Sequence, residues 1–414
     1  MFKTLRILST INLHSSGNNL FFIISKQKLF ARQLSTKYQL KQIRLKRYEF
    51  IQRNEFHTTE PRKIPPIVAI LIRPLVQFGG LIFGRAFKKW WKKKSPEEQK
   101  VYINWLKSRK NAFFGFLGFF MIALFVYYIT HLQTDPITKR QRFIIFNKEQ
   151  QEFFEKFTLQ MHLEENKGHI VPENHPVYMR LTRIVQRLVN SNKDLQSVND
   201  KQWSLTVVNE KLKNAYVLPG GHIFVFLGAL NLVENDDQLA IILAHEMAHE
   251  LLNHSMEQLS RGVILDILLA LPIVFLWAIF PDAVAFICQI LGQSVINILH
   301  RLPYSRALES EADDVGLILA AKACFDVREA VVFWGIMRML TELKIEKDIP
   351  PLLSSHPDHG DREKHLNELM PNAIALRNNV RCAYLDPRDP RNRFYMRSKE
   401  DHELYFKQRG IIST

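Results

Sequence analysis

Residues 111–130, NAFFGFLGFFMIALFVYYIT, run for twenty positions without a charge. As a helix rising 1.5 Å per residue, that stretch covers about 30 Å, the thickness of a bilayer's hydrocarbon core. Inside a bilayer only a helix satisfies every backbone group of one segment, so the run is expected as a single transmembrane helix. A buried core helix of a soluble domain would show a polar stripe, and none is present. Tyr127 and Tyr128 close the run with the amphipathic rings that suit a membrane interface.

Charge then orients the chain. Lys88, Lys89, Lys92, Lys93, Lys94, Lys107, Arg109 and Lys110 precede the run, whereas the first charge after it is Asp135. Residues 1–110 hold 24 Lys and Arg against 5 Asp and Glu, and the remainder hold 32 against 36. The domain-sized part is therefore slightly acidic, which argues against nucleic-acid binding. Residues 1–48 contain no acidic residue and mix Lys, Arg and Ser with apolar residues, the composition of a mitochondrial transit peptide. Combined with the positive-inside bias, this puts the N-terminus in the matrix and the larger C-terminal part in the intermembrane space of a single-pass inner-membrane protein. Residues 49–110 read as a matrix-side basic, membrane-associated segment. Within them, residues 64–87 are apolar but broken by Arg73-Pro74 and Gly79-Gly80, so they read as interfacial or as a second span.

Beyond Pro136 the pattern is that of a folded domain. Residues 149–165 and 176–189 have helical periodicity, with Tyr178, Leu181, Ile184, Val185 and Leu188 on one face of the second. Residues 203–208, 215–218 and 222–226 read as strands, the last two separated by Pro219-Gly220-Gly221. Asn235 is a candidate N-cap for a helix over 236–252.

That helix carries His245-Glu246-Met247-Ala248-His249. Histidines at i and i+4 project from one face, which suits two positions of a tetrahedral Zn²⁺ site, and Glu246 can reach a water in the open position. The extended metzincin motif would need Gly and His at 252 and 255, where the chain has Leu252 and Ser255. His254 falls about 180° from His245 on an ideal helix and is expected to be solvated or packed. Glu309 and Asp313, also i and i+4, offer a third metal ligand and a carboxylate to orient a ligand imidazole. Glu311 would point away from Glu309.

LPGG at 218–221, HEMAH at 245–249, ExEAD at 309–313, and His356-Pro357 with Arg362 resemble the peptidase family of HtpX and the CAAX prenyl metalloprotease. The single span, the transit peptide and Pro303-Tyr304-Ser305-Arg306 are similar to its Oma-type mitochondrial inner-membrane zinc metallopeptidases. The implied fold is α+β, a mostly helical, gluzincin-like zincin domain with a small β-sheet, preceded by a transmembrane helix. The metallopeptidase domain is drawn at 140–370, with a C-terminal extension at 371–414. The implied activity is zinc-dependent cleavage of inner-membrane proteins in quality control and stress response, including the dynamin-like fusion GTPase. A catalytically inactive membrane scaffold of the same fold is the alternative, although no ligand and no Glu246 is lost.

The expected site has one Zn²⁺ held by His245, His249 and Glu309, with Glu246 as general base. His356 would donate to the oxyanion and Arg362 would position it. Gly220, Gly221, His222, Ile223, Phe224 and Val225 are expected as an edge strand that binds substrate by β-augmentation. Partners are membrane-protein substrates and the lipid bilayer, and a homo-oligomer is compatible with the sequence. Residues 263–299 are largely apolar and lie between the two metal motifs. An odd number of crossings there would separate Glu309 from His245, so a helical hairpin is expected, dipping into the membrane or buried in the core. Cys324 and Cys382 are expected as free thiols, with a disulfide clip as the alternative.

Overall fold

The computed structural model describes residues 66–342 and 359–408, so the proposed transit peptide and His356 lie outside the described residues. The first described elements are α1 (Pro66–Lys92) and α2 (Pro96–Ser108). A capping box starts α2: Ser95 Oγ accepts from the Glu98 amide, and the Glu98 carboxylate accepts from the Ser95 amide. Next, α3 (Lys110–Thr130) takes in the whole charge-free run, and none of its residues is buried. Although Pro74 and the paired glycines interrupt its apolar pattern, α1 is one unbroken helix. Packing against a second helix, described below, outweighs the one amide that Pro74 removes.

A two-stranded ribbon follows, β1 (Leu132–Thr134) antiparallel to β2 (Gln141–Phe143). Helices α4 (Lys148–Glu165), α5 (Pro176–Ser191) and the single turn α6 (Gln196–Asn199) lead to the main sheet. On α5, Leu181, Ile184, Val185 and Leu188 are buried at i, i+3, i+4 and i+7, each worth about 1.5–3 kcal/mol of apolar burial. The sheet comprises β3 (Ser204–Val208), β4 (Ala215–Leu218) and β5 (His222–Phe226), in the spatial order β3-β5-β4.

That order corrects the edge-strand expectation. Gly220 and Gly221 form the β4–β5 turn at φ +96° and +92°, a left-handed backbone that glycine adopts without strain. From His222 onward the strand is central: it pairs parallel with β3, Ser204 opposite His222, and antiparallel with β4, Ala215 opposite Val225. Ile223, Phe224 and Val225 are fully buried. The hairpin was readable from the turn residues. Which arm of it would face β3 was not, and the terminal strands of the sheet are β3 and β4.

Behind the sheet lies α7 (Asp236–Leu251), capped by Asn235, whose side chain accepts from the Gln238 amide at 2.8 Å. Almost every residue of α7 from Gln238 onward is buried. It packs against α5, β4, α10 (Leu302–Lys322) and α11 (Glu329–Glu342). Helix α12 (His359–Asn379) closes over α10 and α11, and α13 (Pro390–Gln408) covers α11, with Phe394 seated on Gly335. The boundary drawn at residue 370 falls inside α12.

Between α7 and α10 the chain leaves this core as a hairpin, α8 (His254–Ile279) out and α9 (Asp282–Ile296) back. A π-turn, Asn297–Arg301, joins α9 to α10. The expectation of free thiols is also corrected: Cys324 and Cys382 form a disulfide with Cα atoms 5.3 Å apart, clipping the end of α10 to the end of α12. Sequence spacing carries no information on this pair, because their neighbours meet only through the packing of α12 on α10.

Candidate metal centre

The site forms where α7 and α10 approach most closely. A Cβ on Gly316 would lie 2.9 Å from His245 Cα and 3.0 Å from its backbone nitrogen, so only glycine admits this contact. Glu309, Asp313 and Gly316 fall at i, i+4 and i+7 on α10, and the glycine therefore brings both carboxylates against the histidine face of α7.

His245 Nε2 and His249 Nε2 are 3.1 Å apart. Glu309 places Oε2 at 3.3 Å from the first and Oε1 at 3.5 Å from the second. The ligand atoms of the three residues all lie within 4.8 Å of one another. Zinc bonds of 2.0–2.1 Å at tetrahedral angles separate ligand atoms by roughly 3.3 Å, so the observed spacings are those of a tetrahedron's edges. Two imidazoles and a carboxylate are also a donor set that suits this metal. Glu246, beside His245, is buried as well.

Each imidazole is held from behind. His245 Nδ1 lies 3.0 Å from Asp313 Oδ1. Arg362 on α12 clamps that carboxylate with two bonds of 2.5 and 2.8 Å, and its guanidinium stacks on Trp334 at 3.5 Å from the ring centroid. Burial would raise the pKa of Asp313, but the Arg362 charge and the His245 hydrogen bond hold it well below the usual carboxylate range. An ionised Asp313 accepts from His245 Nδ1–H and leaves the Nε2 lone pair facing Glu309. Arg362 therefore pairs with Asp313, and also lies 3.4 Å from Glu309. His356 lies outside the described residues, and so does the positioning by Arg362 that the sequence led one to expect for it.

His249 is supported by residues that sequence reasoning set aside. His254 Nδ1 lies 2.8 Å from His249 Nδ1, and His254 Nε2 lies 3.2 Å from Glu311 Oε2. One consistent arrangement of protons serves the site: His249 donates to His254, and His254 donates to Glu311. Glu311 further accepts from the Thr138 hydroxyl at 2.6 Å and Arg140 Nε at 2.8 Å. Arg140 grips Glu257 with its other two nitrogens. Burial alone would raise Glu311, yet His254, Arg140 and Thr138 lower its pKa to about 2. Burial pushes His249 down to about 4 in spite of Glu309, which keeps the imidazole in the neutral form a metal ligand requires.

His254 escaped the helical projection because α7 ends before it. Asn253 adopts φ 54° and ψ 34°, the left-handed conformation that asparagine tolerates better than most residues, and folds His254 back under His249. The Asn itself was the available signal. His365 bonds Asp314 at 2.6 Å and takes no part in the centre.

The model of peptidase family M48 matches residues 178–370, which contain all of these ligands. The chain is 35% identical over 347 residues to the Homo sapiens protein named metalloendopeptidase OMA1, mitochondrial, covering 83% of this chain and 66% of that one. Its Bos taurus counterpart is 35% identical over 365 residues, 86% of this chain and 70% of the relative. The Schizosaccharomyces pombe mitochondrial metalloendopeptidase OMA1 is 32% identical over 257 residues, 62% and 72% respectively. The chain thus spans about two thirds of the length of these relatives.

Proposed function

The chain belongs to peptidase family M48, as a metallopeptidase related to the mitochondrial OMA1 metalloendopeptidases, and from that premise we propose that it is a zinc-dependent endopeptidase of the mitochondrial inner membrane. Its substrates are proteins of that membrane, among them the dynamin-like fusion GTPase that the sequence resemblance implies. The observation that carries this reading is the triangle of His245, His249 and Glu309 with edges of 3.1–3.5 Å.

These three residues would hold the ion. Bound zinc would lower the pKa of the attacking water and polarise the scissile carbonyl. Glu246 accepts the proton of that water as it attacks the peptide carbonyl, then passes the proton to the leaving amine. Asp313 and His254 keep the two imidazoles in the tautomer that presents Nε2 to the ion, and Arg362 keeps Asp313 ionised and aimed. Substrate lies extended along β4, the terminal strand packed on α7, where its backbone can add to the sheet. Such binding reads an accessible extended segment more than a sequence, as a quality-control protease requires.

Helix α3 anchors the chain, with the lysine-rich segment before it in the matrix and the metallopeptidase domain in the intermembrane space. Glu246→Gln tests the chemistry: it should retain zinc and lose 10²–10⁴-fold in cleavage of an unfolded, membrane-tethered substrate, the usual range for a lost general base. Turnover within about tenfold of the unsubstituted protein would remove Glu246 from that role.

A further inference from the structure

The hairpin between the metal-bearing helices turns its apolar side chains outward. Along α8 and α9, Phe275, Ile279, Phe286, Ile287, Leu291 and Val295 are more than half exposed. Helix α1 lies against α8 and shares the pattern, with Leu75, Phe78, Ile82 and Phe83 exposed by 60–70%. Where the two helices touch, the fit is close: a Cβ on Gly80 would lie 2.5 Å from the Ile273 side chain, and one on Gly84 would lie 2.7 Å from Val274 O. Small residues spaced four apart at a helix crossing are what drives helix association inside lipid, where no hydrophobic effect is available.

The register gives a direction. Gly80 meets Ile273, Gly84 meets Trp277, and Lys88 bonds Phe280 O and Asp282, so α1 and α8 run parallel. Helix α4 of the peptidase domain packs through Phe154 on the cluster that Met256 and Val263, near the base of α8, form with Ile144 and Phe146. It also touches α1, which must therefore start beside the domain and end at the hairpin's tip. At that tip the surface changes to Arg85, Lys88, Lys89, Trp90 and Trp91, the anchors of a membrane interface. Helix α2, held on Trp90 by Tyr102, has no buried residue and leads straight into α3. Between Val263 and Phe280, α8 is about 26 Å long, enough for the hydrocarbon core once the tip's long cations reach to the headgroups.

We propose that α1, α8 and α9 cross the bilayer as one packed bundle in addition to α3. The start of α1 then lies on the same side as the metal centre, and the lysine-rich connection through α2 reaches the opposite face. The bilayer is the occupant of the exposed apolar faces. Because α8 starts at His254 and α9 continues through the π-turn into the helix of Glu309, the bundle seats both halves of the metal centre at the membrane surface. This rests on the reading of α3 as a span, and it replaces the single crossing and matrix-side N-terminus expected from charge alone.

Cys288 on α9, a free and exposed thiol, is a built-in probe. In mitoplasts carrying the full chain, a membrane-impermeant maleimide should spare Cys288, and detergent should raise its labelling about tenfold as the lipid is stripped. Glu60→Cys and Lys167→Cys should label together without detergent, whereas Lys93→Cys should label only once the inner membrane is opened. Ready labelling of Cys288 in intact mitoplasts, or Glu60→Cys behaving like Lys93→Cys, would overturn the bundle. If Glu60→Cys and Lys167→Cys were both shielded and Lys93→Cys were reactive, the crossing pattern would stand and the orientation proposed for the domain would fall.

Discussion

Two helix pairs in this chain are built on the same device and end in opposite surroundings. In one, α10 meets α7 over Gly316; in the other, α1 meets α8 over Gly80 and Gly84. The first pair is enclosed by α5, β4, α11 and α12, and the space it leaves holds ionisable groups, each tied to a counter-group. The second pair is packed by α9 and touched at one end by α4, and its remaining surface among the described residues is largely aliphatic and aromatic. Close helix approach therefore does not by itself create a site. What decides is whether further elements exclude solvent and supply partners for buried charge, or whether the outer face is left to lipid.

The sharpest way to break that contrast is to uncouple one buried charge. Arg362→Met would leave Asp313 ionised, buried and facing His245 without its clamp, and should cost about 3–5 kcal/mol of domain stability in denaturant unfolding. Adding Asp313→Asn should recover part of that loss, because the two changes act on one interaction. Next in size, Glu311→Gln replaces the charged acceptor of His254 with a neutral amide and should weaken zinc binding by about 10- to 100-fold while the fold is retained. Unchanged zinc affinity would show that the chain from His249 through His254 to Glu311 does not support the ligand.

The glycine contacts give a matched comparison. Gly316→Ala and Gly84→Ala each force a Cβ against backbone atoms and should each destabilise by about 1–3 kcal/mol. Only Gly316→Ala should also lower zinc affinity, and only Gly84→Ala should loosen the membrane bundle, read as increased proteolysis of α1. Gly79→Ala has no neighbour within 4 Å and should be neutral or stabilise by up to about 1 kcal/mol through helix propensity. A loss of zinc affinity in Gly84→Ala would show that the two pairs are coupled through α8.

The features legible in the sequence were those that repeat along one element. The i, i+4 histidines, the Glu309 and Asp313 face, the Asn235 cap and the strands flanking Pro219 all express a local period or a local turn. Features set by the meeting of distant elements were not legible. β5 is central because β3 happens to lie on its far side, and the Cys324–Cys382 disulfide exists because α12 docks on α10. His254 is the instructive middle case: a local break at Asn253 decides its place, and treating α7 and α8 as one ideal helix hid that break. Hydropathy was informative only in part. α8 and α9 are more apolar than α7, but only the packing around them shows that their outer faces are largely uncovered, whereas α7 is nearly all buried in protein.

Zinc content of paired carboxylate variants tests the metal centre most directly. At zinc concentrations that fill the unsubstituted protein and refill Glu311→Gln, the account predicts that Glu309→Gln stays empty, because Glu309 supplies a ligand atom and Glu311 only steadies His254. Zinc retained by Glu309→Gln and lost from Glu311→Gln would contradict the ligand set.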